Sequence, residues 1–488
     1  MKQVFNPYMP LNEYVPDGEP HVFGDRVYVF GSHDKENGDF FCMLDYVCYS
    51  APVDNLKDWR YEGVIYKAKN DPSYDKFPYM YAPDVVKGND GKYYLYYSLA
   101  GRDGCSFLMS VAVCDTPAGE YKFLGYVKKP DGTPLQDYII FDPGLINDNG
   151  KIYLYYGVWY DFDERPDYTR EQSILKQMEM YKKTREEIEG TEGGVQGPVC
   201  VELCDDMLTI KAPPKHIFPV IYKGTPFEGH EFFEASSIRK IGEKYYFIYS
   251  TFNQHELAYA TSDYPDKDFE YGGVIISNGD IGYNGRRTED RLTRTGNNHG
   301  SIEKINGEWY IFYHRQTRKN DYSRQGCAEK IRILDDGSIP QVEITSCGLN
   351  GGPLVAKGEY PSIICCNLTN GHMPHGWCSD VRLPHVANEG EGRFIKEIEG
   401  NTLIGYKYFD FKAVSKIGIE YRSGDIKPSG YFEIKLDLDG APIAKIAIDD
   451  INVWIKKDTE VSIKDGTYPL YFLYKGEGSV EVKQIYFI

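Results

Sequence analysis

The stretch GKYYLYYS, residues 91–98, is a glycine followed by seven residues in which aromatic and aliphatic side chains run almost unbroken. A turn glycine feeding such a run is the mark of a hairpin whose second strand is largely buried. The same pattern recurs as GDRVYVFGS (24–32), GKIYLYYG (150–157), GEKYYFIYS (242–250) and GEWYIFYHR (307–315). The glycines are 67, 59, 92 and 65 residues apart. These periods exceed those of WD or kelch repeats, and they suit a four-stranded propeller blade with long loops. The 92-residue interval carries an insertion, about 165–190, where TREQSILKQMEMYKKTREEIEG turns highly charged with helical spacing of Ile174, Leu175, Met178 and Met180. It reads as a surface helix on a loop.

Stepping back from a fixed tyrosine in each repeat reaches a polar residue each time. Asp17 lies eleven residues before Tyr28, Asp84 ten before Tyr94, and Asp142 eleven before Tyr153. Glu234 lies twelve before Tyr246, and His299 eleven before Tyr310. The innermost strands of a propeller surround its axis, so five matched positions converge on one funnel. Any one of these residues alone reads equally well as a strand cap or turn residue; the repetition carries the signal.

Several carboxylates sharing a pocket cannot all behave as free acids. Mutual repulsion and desolvation raise one, while another stays ionised. Glycoside hydrolysis needs that pair, an acid for the leaving oxygen and a base or nucleophile on the opposite ring face.

Bulk properties agree with this direction. A chain of 488 residues suggests two or more domains. Aromatic content of 15%, dominated by 43 Tyr, suits strands and equally suits stacking on sugar faces. A net charge of −18 argues against nucleic acid or an anionic membrane as partner. Eleven cysteines without CxxC spacing read as free thiols in a reducing compartment. The N-terminus lacks the apolar run of a signal peptide, which gives a cytoplasmic expectation. No apolar stretch approaches the roughly 18 residues of a membrane span. Gly-x-Ser-x-Gly, Walker and His-Glu-x-x-His motifs are absent.

Specific segments resemble glycoside hydrolase family 43: NPYMPLNEYVPDGEPHVFGDRVYVFGSHD from Asn6, YAPDVV around Asp84, FDPGLINDNGKIYLYYG around Asp142, FFEASSIRKIGEKYYFIYS around Glu234, and NNHGSIEKINGEWYIFYHRQT with YSRQGCAEKIRILDDGSIPQV. The likeness runs over roughly residues 5–345. It implies an all-β, five-bladed β-propeller over 1–350 and hydrolysis with inversion. Carried over by position, Asp17 is the general base, Asp142 tunes and orients the acid, and Glu234 is the general acid. Asp84 sits beside the pocket as a sugar-binding or supporting residue, Arg324 lies near the acid and the sugar, and His299 lies near an axial calcium ion, usually through water. Glu19 rivals Asp17, because here Asp17 is followed by Gly-Glu-Pro, and Glu231 rivals Glu234. Ala235-Ser236-Ser237 replaces the common Gly-Pro after the acid, which touches the subsite. His33-Asp34 either reaches the pocket rim or forms a turn; His314 and Arg315 read as structural.

The resemblance implies an oligosaccharide substrate of plant type and α-L-arabinofuranosidase or β-D-xylosidase activity, with β-D-galactofuranosidase or exo-galactanase activity as the related alternative. A carbohydrate-binding propeller without turnover is the alternative of another class. After Gly351-Gly352-Pro353 the repeat stops, and short alternating runs from about Arg393 predict a β-sandwich within 351–488. The run GYKYFDF resembles a family 6 carbohydrate-binding module. Alternation places most of Tyr406, Tyr408, Phe409, Phe411 and Trp454 in a core rather than on a sugar platform.

Overall fold

The computed structural model describes residues 3–102, 104–160, 169–190 and 194–488. Five antiparallel sheets follow one another along the first part of the chain. Blade one holds Glu19–Phe23, Arg26–Phe30, Tyr46–Pro52 and Arg60–Tyr66. Blade two holds Asp84–Lys87, Tyr93–Gly101, Gly104–Cys114 and Lys122–Tyr126, with Tyr79–Met80 added at the rim. Blade three is Gly144–Asp148, Lys151–Tyr156, Val199–Leu203 and Lys215–His216. Blade four is Phe232–Ile241, Lys244–Thr251, Glu256–Ser262 and Glu270–Ser277. Blade five has three strands, Ile302–Ile305, Glu308–Gln316 and Arg324–Ile331. The five turn glycines all adopt positive φ, between 62° and 91°, where a side chain would be strained.

Packing explains the tyrosine-rich second strands. In Tyr93–Gly101, Leu95 and Tyr97 join blade-one residues such as Phe30 and Tyr46, while Tyr94 and Tyr96 join blade-three residues such as Leu145 and Leu154. A strand buried on both faces has no solvent side, so the alternation of a half-exposed strand disappears. One apolar cluster fills the gap between each consecutive pair of blades, and the last joins Phe312 and Ala328 of blade five to Val27 and Val29 of blade one. Each fully buried ring contributes about 1.5–3 kcal/mol.

Closure is completed by the N-terminal segment. Tyr8 N donates to Gly326 O at 3.3 Å, and the buried Asn6 amide exchanges two 3.0 Å hydrogen bonds with the Ala328 backbone. The segment thus occupies the outer edge of the three-stranded blade.

Among the described residues the insertion forms two short helices rather than one: α1, Arg170–Tyr181, and α2, Arg185–Glu189, each begun by a threonine capping box. It is not merely a surface feature. Ile174, Tyr181 and Ile188 are buried against Ile139, Val158 and Val195.

From Leu354 onward the strands form two six-stranded sheets that face each other across one core. The second layer of structure starts earlier than the alternating runs suggest, because Leu354–Val355, Gly358–Pro361 and Asn367–Thr369 already pair with its strands. Tyr406, Phe409 and Phe411 are core residues. Tyr408 instead donates to Glu343 at 2.5 Å, and Lys407 bridges Asp280 and Glu343 at 2.8 and 3.0 Å, tying the sandwich to the propeller. Arg315 makes the same kind of tie through the carbonyls of Ile363 and Cys365. All eleven cysteines are free thiols. Among the described residues, no helix is long and apolar enough to cross a membrane.

Candidate active site

The inner strands meet around the axis through a ring of hydrogen bonds. Leu145 N donates to Asp84 at 2.6 Å, Ala235 N to Asp142 at 3.0 Å, and Ser237 meets Ser301 at 2.6 Å. Gly18 bridges Gly300, and His21 meets Asp84 at 2.6 Å, which closes the circle. The approach is so close that a Cβ on Gly144 of blade three would lie 2.5 Å from Ser236 O of blade four.

Strand register sorts the five repeated polar residues into two layers. Tyr28, Tyr153, Tyr246 and Tyr310 pair with His21, Ile146, Arg239 and Glu303. Four residues before these partners stand Asp17, Asp142, Ala235 and His299. Asp17, Asp142 and Ala235 all take positive φ, 56°, 46° and 68°, a conformation L-residues hold only when their surroundings impose it. Glu234 reaches this layer from one residue earlier, because a bulge between Phe232 and Ser237 absorbs the extra residue of its longer offset.

Asp84 does not belong to that layer. Its hairpin turn spans Gly88 to Lys92, five residues between the Lys87–Tyr93 pair, so Asp84 sits two register positions deeper. It is fully buried, accepts from Leu145 N and touches His21, and it lies outside the cavity lining. Glu19 is at the same depth, bound to Arg239 at 2.8 Å and to Ser237 at 2.9 Å. Geometry therefore separates Asp17 from its rival. Glu231 accepts from Gly229 N at 2.7 Å and does not line the cavity either.

The upper layer opens into a cavity of about 480 Å³ lined by Asp17, Asp142, Glu234, His299 and Arg324. Its walls are apolar and aromatic, with Phe41, Tyr81, Phe141, Tyr160 and Phe233 among them. The insertion adds Met180 and Tyr181. Nothing in the charged, helical pattern of that segment marks those two side chains as cavity residues.

Charge is distributed unevenly on the cavity floor. Burial pushes the Asp17 carboxyl up, but the Arg324 guanidinium at 2.8 Å and His314 at 3.2 Å outweigh it and hold Asp17 well below the usual carboxylate range. Arg324 is itself anchored by a two-pronged pair with Asp34, at 2.9 and 3.0 Å. His314 is fixed in place, with Nε2 2.8 Å from Asn297 O and Nδ1 3.3 Å from Asp17 N. Of the His33-Asp34 pair it is Asp34 that supports the site. His33 turns away to Asp45 O at 2.8 Å and lies outside the cavity lining, so the binding role expected for it lacks a contact.

Glu234 has the opposite environment. Burial and the charge of Asp17 push it up to about 8, with Arg324 pulling weakly the other way. Among the described residues it takes no side-chain hydrogen bond. Asp142 is likewise raised, first by burial and then by Glu234 and Asp17, although Ala235 N donates to it. The two form a pair that retains a proton at neutral pH. His299 is held down at about 4 by burial, so its imidazole is neutral 3.5 Å from Asp142.

The axial calcium expected at His299 finds few protein donors. His299 offers one nitrogen, with Asp17 Oδ1 at 4.0 Å and Asp142 Oδ2 at 3.5 Å. Among the described residues, the His, Cys, Asp and Glu side chains that do converge at metal-ligand spacing are Glu19, His21 and Asp84, one layer down. A hard cation beside His299 would draw most of its six to eight oxygens from water.

The chain matches the family description "Glycosyl hydrolases family 43" over residues 22–339. A "Xylosidase/arabinosidase" of Thermoclostridium stercorarium is 45% identical, covering 99% of this chain and 98% of that protein. A GH43 β-xylosidase/α-arabinofuranosidase from a compost microbial metagenome, solved with xylotriose in a calcium-free form, is 27% identical with a TM-score of 0.50, covering 68% of this chain and 96% of that one. A family 43 arabinoxylan arabinofuranohydrolase from Bacillus subtilis, solved with cellotetraose, shares the fold over 99% of this chain and 97% of its own, at 20% identity and a TM-score of 0.50. With the family model spanning more than half of its residues and the Thermoclostridium stercorarium relative matching it nearly end to end, the chain belongs to family 43 of the glycosyl hydrolases.

Proposed function

We propose that this glycoside hydrolase removes terminal β-D-xylose or α-L-arabinofuranose from plant-type oligosaccharides by a single displacement with inversion. The observation that carries the reading is the split on the cavity floor. Asp17 is held ionised by Arg324, while Glu234 keeps its proton up to about 8. Asp17 then takes a proton from the attacking water as it adds to the anomeric carbon. Glu234 gives its proton to the departing glycosidic oxygen, and the bond breaks with inverted configuration. Asp142 sets the orientation of the Glu234–Ala235 segment by accepting from the Ala235 N–H. The names of the xylosidase/arabinosidase relatives support the sugar class. His299 would hold a calcium ion on the axis, with water supplying most of its ligands, and the ion's part would be structural.

The test is the anomer released first. Proton NMR of a β-xyloside digest shows α-xylose at early times if water displaces directly. β-Xylose as first product overturns the inverting mechanism. No turnover of nitrophenyl β-D-xyloside or α-L-arabinofuranoside overturns the substrate class.

A further inference from the structure

We propose that residues 371–381, which follow the propeller in the chain, complete the mouth of the cavity as a subsite for the leaving-group portion of an oligosaccharide, with Trp377 as its sugar platform. The inference rests on the exo-acting reading above, in which the terminal sugar fills the cavity and only the remainder of the chain passes out through the mouth.

The segment lies between two sandwich strands, Asn367–Thr369 and His385–Glu389, yet its hydrogen bonds go to the propeller rim. Gly376 N donates to Thr295 O at 2.8 Å, Thr295 N to Pro374 O at 3.2 Å, and Cys378 N to Lys319 O at 3.0 Å. Arg294, only 4% exposed, directs Nε and Nη2 at Gly376 O, at 3.0 and 2.8 Å, and pairs with Asp321. A buried guanidinium committed to one loop carbonyl holds that loop in a single position. Gly376 and Asp321 line the same cavity as Asp17 and Glu234.

The next residue, Trp377, is 55% exposed. A solitary exposed aromatic is ordinary on a protein surface. This one ends a path of rings that starts inside the cavity. Phe41 lines the cavity, Tyr322 meets Phe41 edge-on at 4.8 Å, and Trp377 meets Tyr322 at 5.3 Å. The indole Nε1 donates to Ser379 Oγ at 2.6 Å, which limits rotation of the ring. An apolar face restrained at the mouth of a polar-floored pocket suits the C–H face of a pyranose, since the restraint lowers the side-chain entropy lost on stacking.

The experiment compares Trp377→Ala with the wild-type chain on xylotetraose and on nitrophenyl β-D-xyloside, whose leaving group is too short to span the path. The ratio of kcat/KM for xylotetraose to that for the nitrophenyl substrate is expected to fall about ten-fold, carried by KM, and Trp377→Phe is expected to restore most of it. An unchanged ratio overturns the proposal, whether both rates hold or both fall together. If the wild type hydrolyses neither substrate, the reading of the site fails instead. The platform is then judged by tryptophan fluorescence: a change on adding xylotetraose that is lost in Trp377→Phe supports it, and no difference between the two proteins overturns it.

Discussion

Two layers of the same axis, two to four register positions apart, are built from the same residue types by the same repeat, and their surroundings differ. The lower layer holds Glu19, His21, Asp84, Arg239 and Glu303. There every carboxylate has a partner: Arg239 meets Glu19 at 2.8 Å and Glu303 at 3.0 Å, and Asp84 accepts a backbone hydrogen bond from Leu145. The upper layer holds Asp17, Asp142, Glu234 and His299 over an open cavity, with one arginine committed to Asp17 and Asp34. Glu234 is left without a side-chain hydrogen bond among the described residues. Pairing makes the first layer a clamp between blades, while the second is left incompletely paired where it faces the cavity. Burial and charge alone do not tell the layers apart, since Asp84 is also pushed up, to about 7, by burial. Access to the cavity does.

Substitution across the layers tests that division. Asp17→Ala is expected to cost about 10³–10⁴-fold in kcat on every leaving group, measured on nitrophenyl glycosides and oligosaccharides alike. Glu19→Gln is expected to act mainly on thermal stability, and a folded Glu19→Gln protein with the catalytic loss of Asp17→Ala breaks the comparison. Glu234→Ala is expected to lose about 10²–10⁴-fold on xylo-oligosaccharides and markedly less on nitrophenyl substrates, because a good leaving group departs without protonation.

Arg239→Met sharpens the contrast from below. It leaves Glu19 and Glu303 without their shared cation in a buried place, and the expected result is a loss of about 3–5 kcal/mol in denaturant unfolding. The pH profile reads the upper layer. Since Glu234 is pushed up to about 8, kcat/KM is expected to decline above that value, while the acid limb, set by Asp17, lies well below the ordinary carboxylate range.

The smallest effect is on stability. Glu234 has a folded value above its ordinary one, so the neutral form is the one the fold favours. That contribution is whole below the ordinary carboxylate range and is lost as pH rises through about 8. Glu234→Gln is therefore expected to stabilise the protein at pH 9, on the order of 1–2 kcal/mol, with no such gain at pH 5, read by thermal melts at both values.

Five hairpins, their turn glycines, and the strands buried on both faces were legible in the chain because they are local: a positive-φ turn and an apolar run leave their mark within a dozen residues. The repeat also brought Asp17, Asp142, Glu234 and His299 to one axis, since symmetry carries an equivalent residue to an equivalent place. Depth along that axis was not legible. A three-residue difference in one turn put Asp84 in the lower layer, and a bulge kept Glu234 in the upper one; counting residues cannot distinguish slack in a turn from slack in a strand. Tertiary structure alone brought His314 to Asp17 and paired Arg324, expected near Glu234 and the sugar, with Asp17 across some three hundred residues; it also set Asp34 rather than His33 against that arginine, and Met180 and Gly376 on the cavity wall. Those contacts join side chains from separate blades and loops, and their energies depend on three-dimensional distance, which no spacing along the chain records.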